Sequence, residues 1–128
     1  MKRFLFFSAL VSAVALLSCS KQGDHGYHGS RSVTIDTTIA SGTQYVLDLK
    51  TYGDADDVAA IKTQAANYTT SEIINTGSGF SAVYHFSAIA DVKNPTTQQV
   101  VISVTEGNHG QSRPCKDSTL ITINFKVQ

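Results

Sequence analysis

FSAVYHFSAI, residues 80–89, decides how the chain folds. Phe80, Ala82, Tyr84, Phe86 and Ala88 alternate with Ser81, Val83, His85, Ser87 and Ile89. Successive side chains of a strand point to opposite faces, so a period of two marks a strand with one face buried. The first set carries aromatic bulk suited to a core. His85 falls on the opposite face and reads as a surface histidine. Gly79 before the stretch and Asn94-Pro95 after it supply turn residues.

The same period recurs on both sides. VTIDTTIA (33–40) sets Val33 and Ile35 against Thr34 and Asp36, and Ser41-Gly42 ends it. TQYVLDLK (43–50) places Tyr45, Leu47 and Leu49 together, and YGDADD (52–57) follows as an acidic turn. TTSEIIN (69–75) is a short strand. QQVVISVT (98–105) sends Val100, Ile102 and Val104 inward. A polar loop, Glu106 to Asp117, leads to a last strand with Ile121, Ile123, Phe125 and Val127 inward and Leu120, Thr122, Asn124 and Lys126 outward. VAAIKTQAA (58–66) admits two readings. One is a helix with Asp57 near its N-cap and Val58, Ile61 and Ala65 on a stripe; the other is a strand, which fits its neighbours better. Seven short strands joined by turns over one domain's length predict an all-β fold, an immunoglobulin-like antiparallel β-sandwich.

Upstream of these strands lies a different kind of sequence. Lys2 and Arg3 precede an uncharged, largely apolar run, Phe4 to Leu17, which ends in Leu16-Leu17-Ser18-Cys19. A positive n-region, an h-region of about 7–15 apolar residues and small residues at the cut make a secretory signal. The run is short for a transmembrane helix, which needs about 20 residues. Leu16, Ser18 and Cys19 resemble the lipobox of bacterial lipoproteins. That resemblance implies removal of residues 1–18 and a diacylglycerol thioether on Cys19. Ordinary cleavage without lipidation is the rival reading, and the position of Cys19 argues against it. Ser20 stands where inner-membrane retention signals often carry Asp, so the resemblance implies a bacterial envelope protein anchored in the outer membrane. Residues 19–32 then form the acylated cysteine and a Gly-rich tether, SKQGDHGYHGSRS, and residues 33–128 the sandwich domain.

Removing Lys2 and Arg3 from ten basic residues leaves eight against ten acidic, a net charge of −2. With no basic stripe, the chain has no footprint for nucleic acid. Its two cysteines are Cys19 and Cys115. An acylated Cys19 leaves Cys115 as a lone thiol, so stability is expected from the core rather than from a disulfide framework.

Few residues invite chemistry. Asp54, Asp56 and Asp57 put three carboxylates in one turn, the hard-oxygen donors that calcium takes, but an acidic turn is the simpler account and no metal is assigned. Asp24, His25 and His28 lie on the tether and read as solvated linker residues. His109 and Cys115 share a loop as a nucleophile–base pair would, with Arg113 and Lys116 able to lower the thiol pKa. No third orienting group, oxyanion turn, phosphate loop or zinc motif accompanies them, so the expectation is a non-enzymatic chain without a cofactor. Asn67-Tyr68-Thr69 is a nominal N-glycosylation sequon. Asp36-Thr37-Thr38 and Asp117-Ser118-Thr119 resemble a three-residue O-glycosylation signal.

Ile61, Gln64-Ala65, the Gly79-Phe80 to Phe86 strand and Val100 to Val104 resemble the cadherin-like and immunoglobulin-like modules of bacterial surface proteins. Tyr84 and Phe86 match the aromatic pair of their Y-x-Y/F-x-P strand; Ala88 stands at the proline, and Thr97-Gln98-Gln99 replaces their Gly-Thr-Asp turn. The resemblance implies adhesion or binding at the cell surface. Loops on a rigid sandwich commonly carry recognition. The candidate contacts are therefore Asn108, His109, Arg113 and Lys116, meeting an unidentified protein or glycan partner. The alternatives are a structural accessory subunit of an envelope complex and, more remotely, a thiol enzyme using Cys115.

Overall fold

The computed structural model describes residues 30–89, 96–107 and 117–128. Seven strands follow in order: β1 Ser30–Ile39, β2 Gln44–Asp48, β3 Asp57–Thr63, β4 Tyr68–Asn75, β5 Ala82–Ala88, β6 Thr96–Glu106 and β7 Ser118–Val127. A 3₁₀ turn, Lys50–Tyr52, sits between β2 and β3. The strands form two sheets, β1-β7-β6-β3 and β2-β5-β4. The neighbour relations β7-β6-β3 and β2-β5-β4 are those of the G-F-C and B-E-D strands of an immunoglobulin-like sandwich. One pairing departs from the antiparallel rule: β1 runs parallel to β7, with Ser30 opposite Ser118 and Ile39 opposite Val127.

The alternation in β5 is realised residue by residue. Ala82, Tyr84, Phe86 and Ala88 are buried, while Val83, His85 and Ser87 are half-buried on the outer face. Phe80 is also buried, in the bend just before the strand. Phe86 stacks on Phe125 of β7 with ring centroids 4.1 Å apart, and Tyr45 of β2 meets Phe125 edge-on at 5.0 Å. These rings join the two sheets, and aromatic pairs of this kind contribute about 0.5–1.5 kcal/mol beyond area burial. Val100, Ile102, Ile121 and Ile123 complete the middle of the core. The Tyr84 hydroxyl lies 2.8 Å from Ser71 Oγ, so the buried phenol keeps a polar partner. Burial pushes its pKa up to about 12, against the opposing pull of that hydrogen bond.

The 58–66 segment is not a helix: its residues to Thr63 belong to β3, and Gln64 to Ala66 lead out of it. Asp57, Ala59 and Ile61 turn inward while Val58 is 56 % exposed, so Val58 and Ile61 share no stripe. Ladder hydrogen bonds to β6 hold it extended, with Ala59 opposite Val104 and Ile61 opposite Ile102. The register shifts between Ile61 and Thr63, and again between Tyr68 and Thr70 in β4. Such bulges bend the strand and sharpen its twist, and here they flank the crossing from one sheet to the other. Gln98, only 4 % exposed, ties down that crossing: its Oε1 accepts the Ala66 and Asn67 N–H groups at 3.0 and 3.2 Å. Thr97-Gln98-Gln99 is thus part of β6 rather than a turn.

Strand direction divides the loops between two ends. Ser30, the 49–56 connection, residues 76–81, Gly107 and Asp117 lie at one end. Ala40 to Thr43, Gln64 to Asn67, Ile89 and Gln128 lie at the other. Gly42 has φ 75° in the turn closed by the Thr43 N–H to the Ala40 carbonyl at 3.1 Å, a left-handed position that glycine occupies without strain.

Candidate functional site

The end at which β1 starts holds most of the ionisable groups found in the connections. β2 stops at Asp48, whose carboxylate accepts the Lys50 N–H at 2.9 Å and starts the 3₁₀ turn. The chain then folds back through Gly53 to Asp56. Asp57 closes this turn twice, since its N–H donates to the Asp54 carbonyl at 3.1 Å and its Oδ2 accepts the Asp54 N–H at 2.8 Å. The Gly107 N–H donates to the Asp56 carbonyl at 3.0 Å, which ties the end of β6 to the acidic turn. Glycine is needed at 107, because a Cβ there would run into the Asp56 carbonyl oxygen.

Between this turn and the first residues of β1 and β7 opens a shallow cleft of about 270 Å³. Arg31, Tyr52, Asp54, Asp57, Val104 and Asp117 line it, together with the Ser118–Thr119 segment. Burial raises the Asp57 carboxyl above its usual range; the charges of Asp54, Asp56 and Glu106 add to this and the Asp54 N–H works against it. A shallow, mostly polar cleft lined by one guanidinium and three carboxylates suits a small polar ligand bearing hydrogen-bond donors.

Of the residues singled out from the sequence, Asp54, Asp56 and Asp57 lie together in this turn, with one Asp57 oxygen engaged by the backbone. Among the described residues, no three His, Cys, Asp or Glu side chains come together as a metal site requires. Cys19, Asn108, His109, Arg113, Cys115 and Lys116 lie outside the described residues. His85 is half-buried on the outer face of β5, its Nδ1 3.1 Å from Gln44 Nε2 and its register partner across β4 being Glu72. Thr37 of the Asp36-Thr37-Thr38 motif is on the inward side of β1 opposite Phe125, and Ser118 Oγ lies 3.2 Å from Ser30 Oγ.

Two features escaped the sequence reading. Arg31 reads there as tether, yet it belongs to β1 and borders the cleft. On the outer face of the larger sheet, Asn124 Nδ2 donates to Asp36 Oδ1 at 2.8 Å while Gln99 Nε2 donates to Asn124 Oδ1 at 2.9 Å. This amide ladder crosses β1, β7 and β6 in one row, and only the strand order brings its three members together.

No protein-family model matches the chain, and neither a curated protein nor a solved structure is significantly similar to it.

Proposed function

We propose that this chain is a lipid-anchored lipoprotein of the bacterial cell envelope, placed in the outer membrane, whose β-sandwich serves binding rather than catalysis. The observation that carries the reading is Leu16-Leu17-Ser18-Cys19 at the end of an apolar run behind Lys2 and Arg3. The length of chain between the cysteine and β1 is compatible with it, since ten residues lie between Cys19 and Ser30. Several acyl chains on one residue are what such an anchor needs, since a single chain gives only marginal membrane binding. The cadherin-like and immunoglobulin-like resemblance of Tyr84, Phe86 and Val100 to Val104 favours adhesion or partner binding, and the cleft lined by Arg31, Asp54 and Asp57 is a candidate ligand site on the sandwich.

Cell fractionation tests the reading. The native chain is expected with the membranes, and a Cys19→Ala variant is expected to leave them. Equal membrane retention of both would remove the lipid-anchor reading.

A further inference from the structure

We infer that the end of the sandwich carrying the cleft and the acidic turn faces the bilayer, so that its ligand is a component of the membrane surface. This rests on the lipid anchor at Cys19 proposed above. The argument is one of chain length and strand direction. From Cys19 to Ser30 there are eleven residue steps, which reach at most about 40 Å fully extended. Ser30 begins β1 beside Ser118, at the end that also holds Asp54 to Asp57 and Gly107. β1 then runs the length of the domain to Ile39, ten residues, or about 30 Å at strand rise. With Ser30 nearest the lipid, every tether span up to its limit is allowed. With the domain inverted, the tether must run back along the whole of β1, which consumes most of its contour length and removes most of its conformations.

The described loops at the two ends also differ in chemistry. Arg31, Lys50, Asp54, Asp56, Asp57, Glu106 and Asp117 crowd the end at which β1 starts, while Lys62 and Lys126 lie near the ends of β3 and β7 on the other side. Ala40 to Thr43, Gln64 to Asn67 and Ile89 carry no ionisable side chain. A headgroup region offers phosphate and ammonium groups, which Arg31 and Asp54 at the cleft match in charge.

Energy transfer to the membrane tests this. The acylated full-length protein, with Cys115→Ser, is reconstituted into phosphatidylcholine vesicles containing a small fraction of headgroup-labelled acceptor lipid. A donor dye is placed on Ala55→Cys at one end and on Asn67→Cys at the other, with Ser78→Cys and Thr43→Cys as second positions and circular dichroism to verify each fold. Labels about 30 Å apart along the strands are expected to differ about twofold in transfer efficiency, with positions 55 and 78 higher. Equal transfer at both ends, or higher transfer at 67 and 43, in protein that floats with the vesicles overturns the orientation alone. Protein that does not float overturns the anchor as well.

Discussion

At the residue scale, Gly53 and Asp57 set the shape of the cleft. A Cβ on Gly53 would come within 2.7 Å of both Asp57 Oδ2 and Val104 Cγ1, and 2.8 Å from Phe80 Cε1. Val104 and Phe80 are packed core groups, so they cannot yield as a free side chain does. Gly53→Ala is therefore expected to cost about 1–3 kcal/mol, the range for overpacking, measured as a lower urea midpoint with an unchanged slope. Asp57 gives a pH signature. Its carboxyl ionises near 3.8 in the unfolded chain and at a higher pH in the folded one. Between those values the folded protein keeps a proton that the unfolded chain has lost, so stability falls as pH rises through that window and stays reduced above it. Asp57→Asn keeps an acceptor for the Asp54 N–H and removes the charge. Its Tm is expected on the order of 2 °C above the native protein at pH 7, with the difference vanishing once the pH is below both values. A lower Tm at pH 7 would show that the hydrogen bond needs the ionised oxygen.

At the element scale, β5 shows what alternation can and cannot tell. Period-two patterning identified core residues of β5, β6 and β7 from the sequence because each of these strands buries an alternating run of apolar residues. It could not give strand direction or partners, since a period of two reads the same both ways; hence the parallel β1–β7 pair was not legible. Ser30 to Ser32 were read as tether because three polar residues have no hydrophobic period, although Ser118 to Leu120 of β7 hold them in register. In 58–66 the bulge at Ile61/Thr63 interrupts the alternation, which is why a helical stripe competed there. The cleft was half legible: the acidic turn stood out by composition, but Arg31 is brought to it only by the β1–β7 pairing. The element-level test is Phe86→Ala. This ring lies between Tyr84 and Phe125, with centroids at 6.5 and 4.1 Å. Its loss is expected to cost about 3–5 kcal/mol, read as a large drop in the thermal midpoint; a drop of only a degree or two would mean that the stacked rings do not hold the sheets together.

At the scale of the whole molecule, the proposed anchor at Cys19 would put the start of β1 and the acidic turn on the membrane side of the domain. Small domains are marginally stable, with about 5–15 kcal/mol to spare, so the sandwich depends on its dry middle and leaves its ends available for recognition. What the ends meet would follow from the proposed anchor. The most direct measurement is therefore the intact mass of the protein taken from its native membrane, beside the Cys19→Ala variant. Loss of Met1 to Ser18 together with acyl mass, absent from the variant, is the expected result. A chain that keeps Met1, or one cleaved but carrying no acyl group, would contradict the account of this protein as a lipid-anchored domain.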